Sequence, residues 1–215
     1  MQFLHNLSGT RTCFLCQVTP GDTAGLCHLC FSMLPWCNPI PRIDNIPIQA
    51  AFDYLSPITH WIQALKFHQA LYYARYLADL WYHRWHNMRS TPLPEYIVPI
   101  PLHTHRLRSR GFNQTLLLAQ RLKKRLSIPI NTTLLTKIDH TQAQATLTAD
   151  ARKQNLTHAF TVSTDVMPAH VTLLDDVVTT GATMQAARHT LLTAGVQTVE
   201  IWCMAYTPPH RVQIP

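Results

Sequence analysis

The sequence predicts an α/β protein with a small four-cysteine knuckle at its N-terminus, on three observations. Hydrophobic residues make up 47% of the 215 residues, enough to bury a full core in a chain of this length. Residues 171–195 read as strand, turn and helix: an apolar run, a short hydroxyl-rich turn, then Met184, Ala187, Leu191 and Ala194 at helical spacing before Gly195. Two Cys-x-x-Cys pairs stand close together near the start of the chain. No apolar stretch approaches the roughly 20 residues that a membrane span requires. The first residues lack a charged segment followed by a long apolar core, so no secretory signal is readable, and a cytoplasmic protein without membrane insertion is expected.

Taken in order, the first element is the knuckle, expected over residues 1–47 together with a linker. Five of the six cysteines fall in the first 37 residues. Cys13 and Cys16 form one pair, Cys27 and Cys30 the other, with ten residues between. Each pair can place two thiolates on one tetrahedral ion, so the four together predict a Zn(2+) site. Disulfides are the alternative, disfavoured where thiols stay reduced. His28 is a further possible ligand that four cysteines make unnecessary. Cys37 has no partner at Cys-x-x-Cys spacing, and Cys203 sits in an apolar strand. Prolines at 39, 41 and 47 mark the linker, and residues 48–215 form the second expected unit.

Residues 50–54 can form a strand, and Pro57 opens a helix carrying Ile58, Trp61, Ile62 and Leu65. A second helix is expected from about Ala70 to Met88, with Leu71, Ala74, Leu77, Trp81, Trp85 and Met88 on its buried stripe. Its aromatic density reads as core packing rather than base stacking, because several of the rings share that stripe. Residues 96–101 read as a strand running into an irregular loop, 102–113, which feeds a helix with Leu118, Ala119, Leu122 and Leu126. The loop carries His103 and three arginines at alternate positions, Arg106, Arg108 and Arg110; this is an anion site, since a planar guanidinium bonds two oxygens of a diphosphate at once. A strand is expected over 128–135, a long polar loop after it, and a short strand over 158–162.

The last unit holds the strongest motif. Asp175 and Asp176 end the apolar strand; Val177, Val178, Thr179, Thr180, Gly181, Ala182 and Thr183 complete the run before the helix. Free backbone N–H groups and the helix dipole make such a turn a phosphate site, and Gly181 lets the backbone approach the anion. Ionised carboxylates only accept hydrogen bonds, so the two acids suit ribose hydroxyls or a magnesium shell. A sugar phosphate fits both halves.

Charge is unevenly placed. The formal net charge is +7, yet residues 60–125 carry eleven Lys and Arg against Asp79 and Glu95, leaving the remainder slightly acidic. Such a segment attracts pyrophosphate, a phosphorylated sugar or nucleic acid. Arg121, Lys123, Lys124 and Arg125 cluster at one helix end and are the candidate DNA-binding residues.

The run at 171–183 resembles the phosphoribosyl pyrophosphate (PRPP) signature of type I phosphoribosyltransferases. With the cysteine knuckle, Lys66-Phe67, Val98-Pro-Ile-Pro-Leu-His103, Arg106-Leu-Arg-Ser-Arg-Gly-Phe-Asn-Gln114 and Thr141…Gln144…Leu147…Arg152…Asn155 in one order, nearly the whole chain is similar to the ComF/GntX family. That resemblance implies a parallel twisted sheet with flanking helices. It makes 175–183 the PRPP site with Mg(2+), 102–113 the pyrophosphate loop, and 139–155 a flexible loop contributing Gln144, Arg152 and Asn155. It further implies a role in natural transformation, in handling incoming single-stranded DNA in the cytoplasm. PRPP or ribose 5-phosphate, single-stranded DNA, and a competence helicase or other DNA-processing proteins are the partners it offers. Departures from the family pattern are the absence of a second cysteine after Cys37, Ala151 where an acid is usual, and Asp139 where a basic residue is frequent. A phosphoribosyltransferase acting on an unidentified nitrogenous acceptor is the alternative function, and no base-reading constellation stands out to name that acceptor.

Overall fold

The computed structural model describes residues 12–21, 24–86, 92–138, 159–163 and 166–207. Five strands form the main sheet in the order β1-β2-β7-β6-β3: β1 (Arg42–Ile43), β2 (Ile46–Asp53), β3 (Tyr96–Pro99), β6 (His170–Val178) and β7 (Thr198–Tyr206). All pairings but the β1–β2 hairpin are parallel, as the long apolar runs of β6 and β7 require for strands covered on both faces. A separate antiparallel pair joins β4 (Leu135–Lys137) to β5 (Phe160–Val162).

Alternation along each strand divides the core in two. Trp202 and Met204 of β7 face the first layer, packed under α2 (Ile58–Phe67), α3 (Tyr72–Trp85) and α5 (Gln114–Leu126). Ile201 and Cys203 face the second, covered by α6 (Ala182–Thr193) and the β4–β5 pair. The knuckle belongs to the first layer. It contains α1 (His28–Ser32), and its Cys13, Leu26, Cys30 and Leu34 are buried in the same cluster as Trp61 and Leu77. Phe14 stacks on Tyr76 with ring centroids 3.9 Å apart and leans on Trp61 and Tyr73, so the aromatic residues of α3 are largely core.

Several sequence expectations need correction. The linker is partly sheet: Asp44 and Asn45, at φ 48° and 66°, make the tight turn that joins β1 to β2. The helix expected from Ala70 to Met88 spans Tyr72–Trp85; Leu71 precedes it and is 47% exposed, while Met88 lies outside the described residues. The expected strand at 128–135 is reduced to a bridge at Ile130 and the start of β4, because the Asn131 side chain accepts from the backbone N–H groups of Thr133 and Leu134 and turns the chain. The expected loop at 102–113 is helical over much of its length, forming α4 (Thr104–Arg110). His103 Nδ1 caps its first turn by accepting from the His105 N–H, and Gly111 at φ 81° ends it.

Candidate functional site

The helices that follow the neighbouring strands β3 and β6 leave on opposite faces of the sheet, α5 into the first layer and α6 into the second. The chains diverge beyond the carboxyl ends of these strands and leave a crevice, the position where open α/β sheets bind ligands. The acids of the motif stand at the end of β6, and α4 with its arginines follows β3.

At the crevice, residues 177–184 and Asp175 line a concavity of about 50 Å³, the size of a small anion. Thr179 and Thr180 are exposed. Gly181 caps α6 at φ 81°; the Ala182 N–H donates to the Thr180 hydroxyl at a long 3.4 Å, and the first residues of the helix, Ala182, Thr183 and Met184, line the concavity. A side chain at 181 has no room either: a Cβ there would fall 2.0 Å from Cδ1 of Ile43. The β1–β2 turn thus sits over the cradle, and the Asp44 carboxylate accepts from the Gln185 side chain.

The two acids have different surroundings. Asp175 is half-buried and lines the concavity; its Oδ1 accepts from the Asp176 N–H at 2.8 Å and lies 3.3 Å from the Thr115 hydroxyl. Burial, followed by the charge of Asp176, pushes its carboxyl well above the usual carboxylate range. Asp176 is 3% exposed and paired: Lys66 Nζ lies 2.5 Å from Oδ2, and the Gln114 amide 3.5 Å from Oδ1. Arg110 donates to the side-chain oxygen Oε1 of Gln114 and lies over the ring of Phe67, 5.3 Å from its centroid. Lys66, Gln114 and Thr115 are therefore site residues to which the sequence reading gave no role. The signal was there, since Lys66 and Gln114 both fall within the family motifs.

The same arrangement accounts for the run from Arg110 to Gln114. Arg110 meets Gln114, Gly111 ends α4, Phe112 packs on the core, and Asn113 caps α5 by accepting from the Thr115 N–H while donating to the carbonyl of Ile100. Helical geometry changes the arginines' disposition. Arg106 and Arg110, four residues apart, share one side of α4, and Arg108 projects from another; Arg106 and Arg108 are exposed. Gln144, Arg152 and Asn155 lie outside the described residues.

The four cysteines converge. Their sulfur atoms all lie within 4.8 Å of one another, with Cys16 and Cys27 3.9 Å apart, close to the roughly 3.8 Å between thiolates on a tetrahedral ion with 2.3 Å bonds. Backbone donors at Thr19 and Val18 lower the Cys16 thiol to about 6, and burial pushes Cys30 up to about 12. The cluster can hold a metal ion. His28 is exposed and stands outside it, and Cys37 and Cys203 are buried elsewhere in the core.

Of the residues expected to meet DNA, two are engaged within the protein. Arg121 donates to both oxygens of buried Asp79 at 2.8 Å, and Arg125 donates to Oδ1 at 2.9 Å. Burial opposes ionisation of Asp79, but these hydrogen bonds hold its carboxyl below the usual range. Lys123 and Lys124 are exposed. No helix among the described residues is long and apolar enough to cross a membrane.

No family model matches the chain. It is 37% identical to competence protein F of Haemophilus influenzae over 158 residues, 71% of this chain and 69% of that protein. It is 34% identical to the DNA utilization protein YhgH of Salmonella typhi over 198 residues, 91% of this chain and 84% of that one. Among solved structures, adenine phosphoribosyltransferase from Leishmania tarentolae aligns at a TM-score of 0.40 and 16% identity, covering 83% of this chain and 85% of the enzyme. The Trypanosoma brucei enzyme aligns at 0.38 and 15%, covering 86% and 82%.

Proposed function

The chain belongs to the ComF family of competence and DNA-utilization proteins, and from that premise we propose that it handles single-stranded DNA during natural transformation, with the crevice at β6–α6 taking PRPP or ribose 5-phosphate. The observation that carries this reading is the phosphate-sized cradle at residues 177–184, coupled through Asp176, Gln114 and Arg110 to a cationic helix and an exposed ring. The 5′-phosphate seats on the N–H groups that open α6, and Asp175 accepts from a ribose hydroxyl. Asp175 is the acid that would hold the Mg(2+) accompanying PRPP, which would supply charge for the pyrophosphate oxygens; Asp176 already has its cation in Lys66.

Phe67 is 67% exposed and Arg110 packs on one of its faces, next in sequence to the lysine that holds Asp176. A ring and guanidinium so placed offer a stacking platform for a base, and exposed Arg106 and Arg108 offer phosphate contacts. Single-stranded DNA is thus proposed to run along α4, past the ribose-phosphate cradle. Zinc is the metal proposed for Cys13, Cys16, Cys27 and Cys30, and its part is to fold the knuckle against α2 and α3.

The test is transformation frequency in a deletion strain complemented with wild type, Asp175→Ala or Phe67→Ala, alongside binding of ribose 5-phosphate and oligo(dT) to the purified chain. Both variants should lower transformation, the first losing ribose 5-phosphate and the second weakening DNA binding by about tenfold, the loss of one stacked base. Full complementation by both would reject the reading. Release of pyrophosphate from PRPP only when a nitrogenous acceptor is added would instead make the chain a phosphoribosyltransferase.

A further inference from the structure

A second, larger concavity than the cradle lies away from the crevice, on the outer surface between α3 and α5. It holds about 750 Å³. Leu71, Leu116, Leu117 and Ile130 form an aliphatic floor, and Arg75, Lys123 and Lys124 stand along its border. Lys123 and Lys124 make no ion pair among the described residues, and Arg75 reaches Asp79 only at 3.7 Å. Arg121 also lines the groove but is held by Asp79, the acid that α3 buries between the two helices.

We propose that this α3–α5 groove docks an acidic amphipathic helix of a partner protein, leucine-like side chains on the floor and carboxylates on the cationic border. The chemistry of the groove favours this occupant over the others. Single-stranded nucleic acid binds through rings on which its bases stack, and no aromatic side chain lines this groove. A lipid surface is flat, whereas this site is concave and lies between two helices. A second copy of the chain brings no acidic stripe: among the described residues only Asp44 and Glu95 are exposed acids, and Asp44 already bonds Gln185. The segments of the chain outside the described residues do not supply one either, since residues 1–11, 87–91 and 208–215 contain no acid, 139–158 contain only Asp139 and Asp150, and the two-residue stretches 22–23 and 164–165 hold one acid each, Asp22 and Asp165. What remains is an external segment whose charge opposes the border and whose apolar spacing matches the floor, the helix-in-groove mode of recognition.

The experiment uses the full chain and a fluorescein-labelled synthetic peptide of about 15 residues, long enough for four helical turns. It carries leucines at i, i+3, i+4 and i+7 on a background of Glu, Gln and Ala; a second peptide has the same composition in scrambled order. Anisotropy should show the patterned peptide binding at least about tenfold more tightly than the scrambled one. Leu71→Glu, which alters a half-exposed floor residue, and Lys123→Glu/Lys124→Glu on the border should each cost about tenfold or more without changing the melting temperature. Lys123→Gln/Lys124→Gln provides a milder variant if charge reversal impairs folding, and it should lose part of the affinity. Oligo(dT) and ribose 5-phosphate should leave the peptide bound. Equal binding of the two peptides, or patterned-peptide affinity unaltered in the floor and border variants, would overturn the proposal. Displacement by stoichiometric oligo(dT) would do so too, and would assign the groove to nucleic acid. None of these readouts depends on the ribose-phosphate cradle, so that reading stands or falls separately.

Discussion

The ammonium of Lys66 lies 2.5 Å from Oδ2 of Asp176, so one of the two adjacent acids at the end of β6 is tied to α2 while its neighbour Asp175 lines the phosphate-sized concavity. Adjacent residues of a strand point to opposite faces, although α5 reaches both acids, Gln114 at Asp176 and Thr115 at Asp175. Asp176 connects the first helical layer to the site, whereas Asp175 offers its carboxyl to the cavity.

Lys66→Met should therefore destabilise the fold by about 3 kcal/mol, the lower end for removing one partner of a buried pair, because Lys66 keeps some solvent contact. Adding Asp176→Asn should restore most of the loss by removing the stranded charge. Urea unfolding of the two single variants and the double variant measures the coupling. Additive effects would mean that the pair contributes nothing of its own.

Asp79 and Asp175 should give opposite pH dependence. The folded-state pKa of Asp79 is lowered, so its contribution is full above the unfolded value of about 4 and is lost as pH falls through the lower folded value. Asp79→Asn should cost about 2 kcal/mol at neutral pH, less than a fully buried pair because Arg121 and Arg125 are partly solvated. The folded-state pKa of Asp175 is raised, so its contribution is full below the unfolded value and is lost as pH rises through the folded one. Asp175→Asn should raise the melting temperature at neutral pH while ribose 5-phosphate binding is lost. Melting curves across pH check both signs.

Metal analysis should find about one zinc per chain, and none in Cys13→Ser/Cys27→Ser. Because Phe14 sits between two of the ligands and stacks on Tyr76, chelation should lower the melting temperature and free that ring from α3. Wild-type zinc content in the double variant would reassign the ligands.

Gly181→Ala should lose ribose 5-phosphate affinity and cost about 2 kcal/mol, of which about 1 is the left-handed backbone and the rest the collision with Ile43. In an Ile43→Ala background, which carries its own core-burial cost, Gly181→Ala should cost only the backbone part. A Gly181→Ala protein with wild-type affinity and melting would show that the cradle does not need a glycine.

Much of this organisation was legible in the order of residues because it is local. The 171–183 run specifies strand, turn and helix through apolar burial, a glycine able to adopt positive φ, and a helix pattern after it, and β6, Gly181 and α6 form there. Cys-x-x-Cys spacing brings two thiols together within each pair, and the four sulfur atoms do converge. The loop at 102–113 was misread for an equally local reason: a seven-residue helix has too few turns to show an apolar period, and none of its residues is buried.

What the order of residues left open was decided by elements that meet across long separations. Lys66 and Gln114 reach Asp176 from α2 and α5 only because the sheet stacks both helices on one face. Asp79 draws in Arg121 and Arg125 from forty or more residues away, which turns half of an apparent basic cluster into an internal ion pair. Ile43 closes over Gly181 because β1 pairs beside β2 at the sheet edge, nearly 140 positions earlier in the chain. The sequence by itself determined a glycine turn that opens a helix, a cluster of thiols and a surplus of cations, because short-range spacing encodes them. Only the tertiary structure decided which acid lines the concavity and which arginines are held internally, because burial and pairing depend on what the sheet brings alongside each charge.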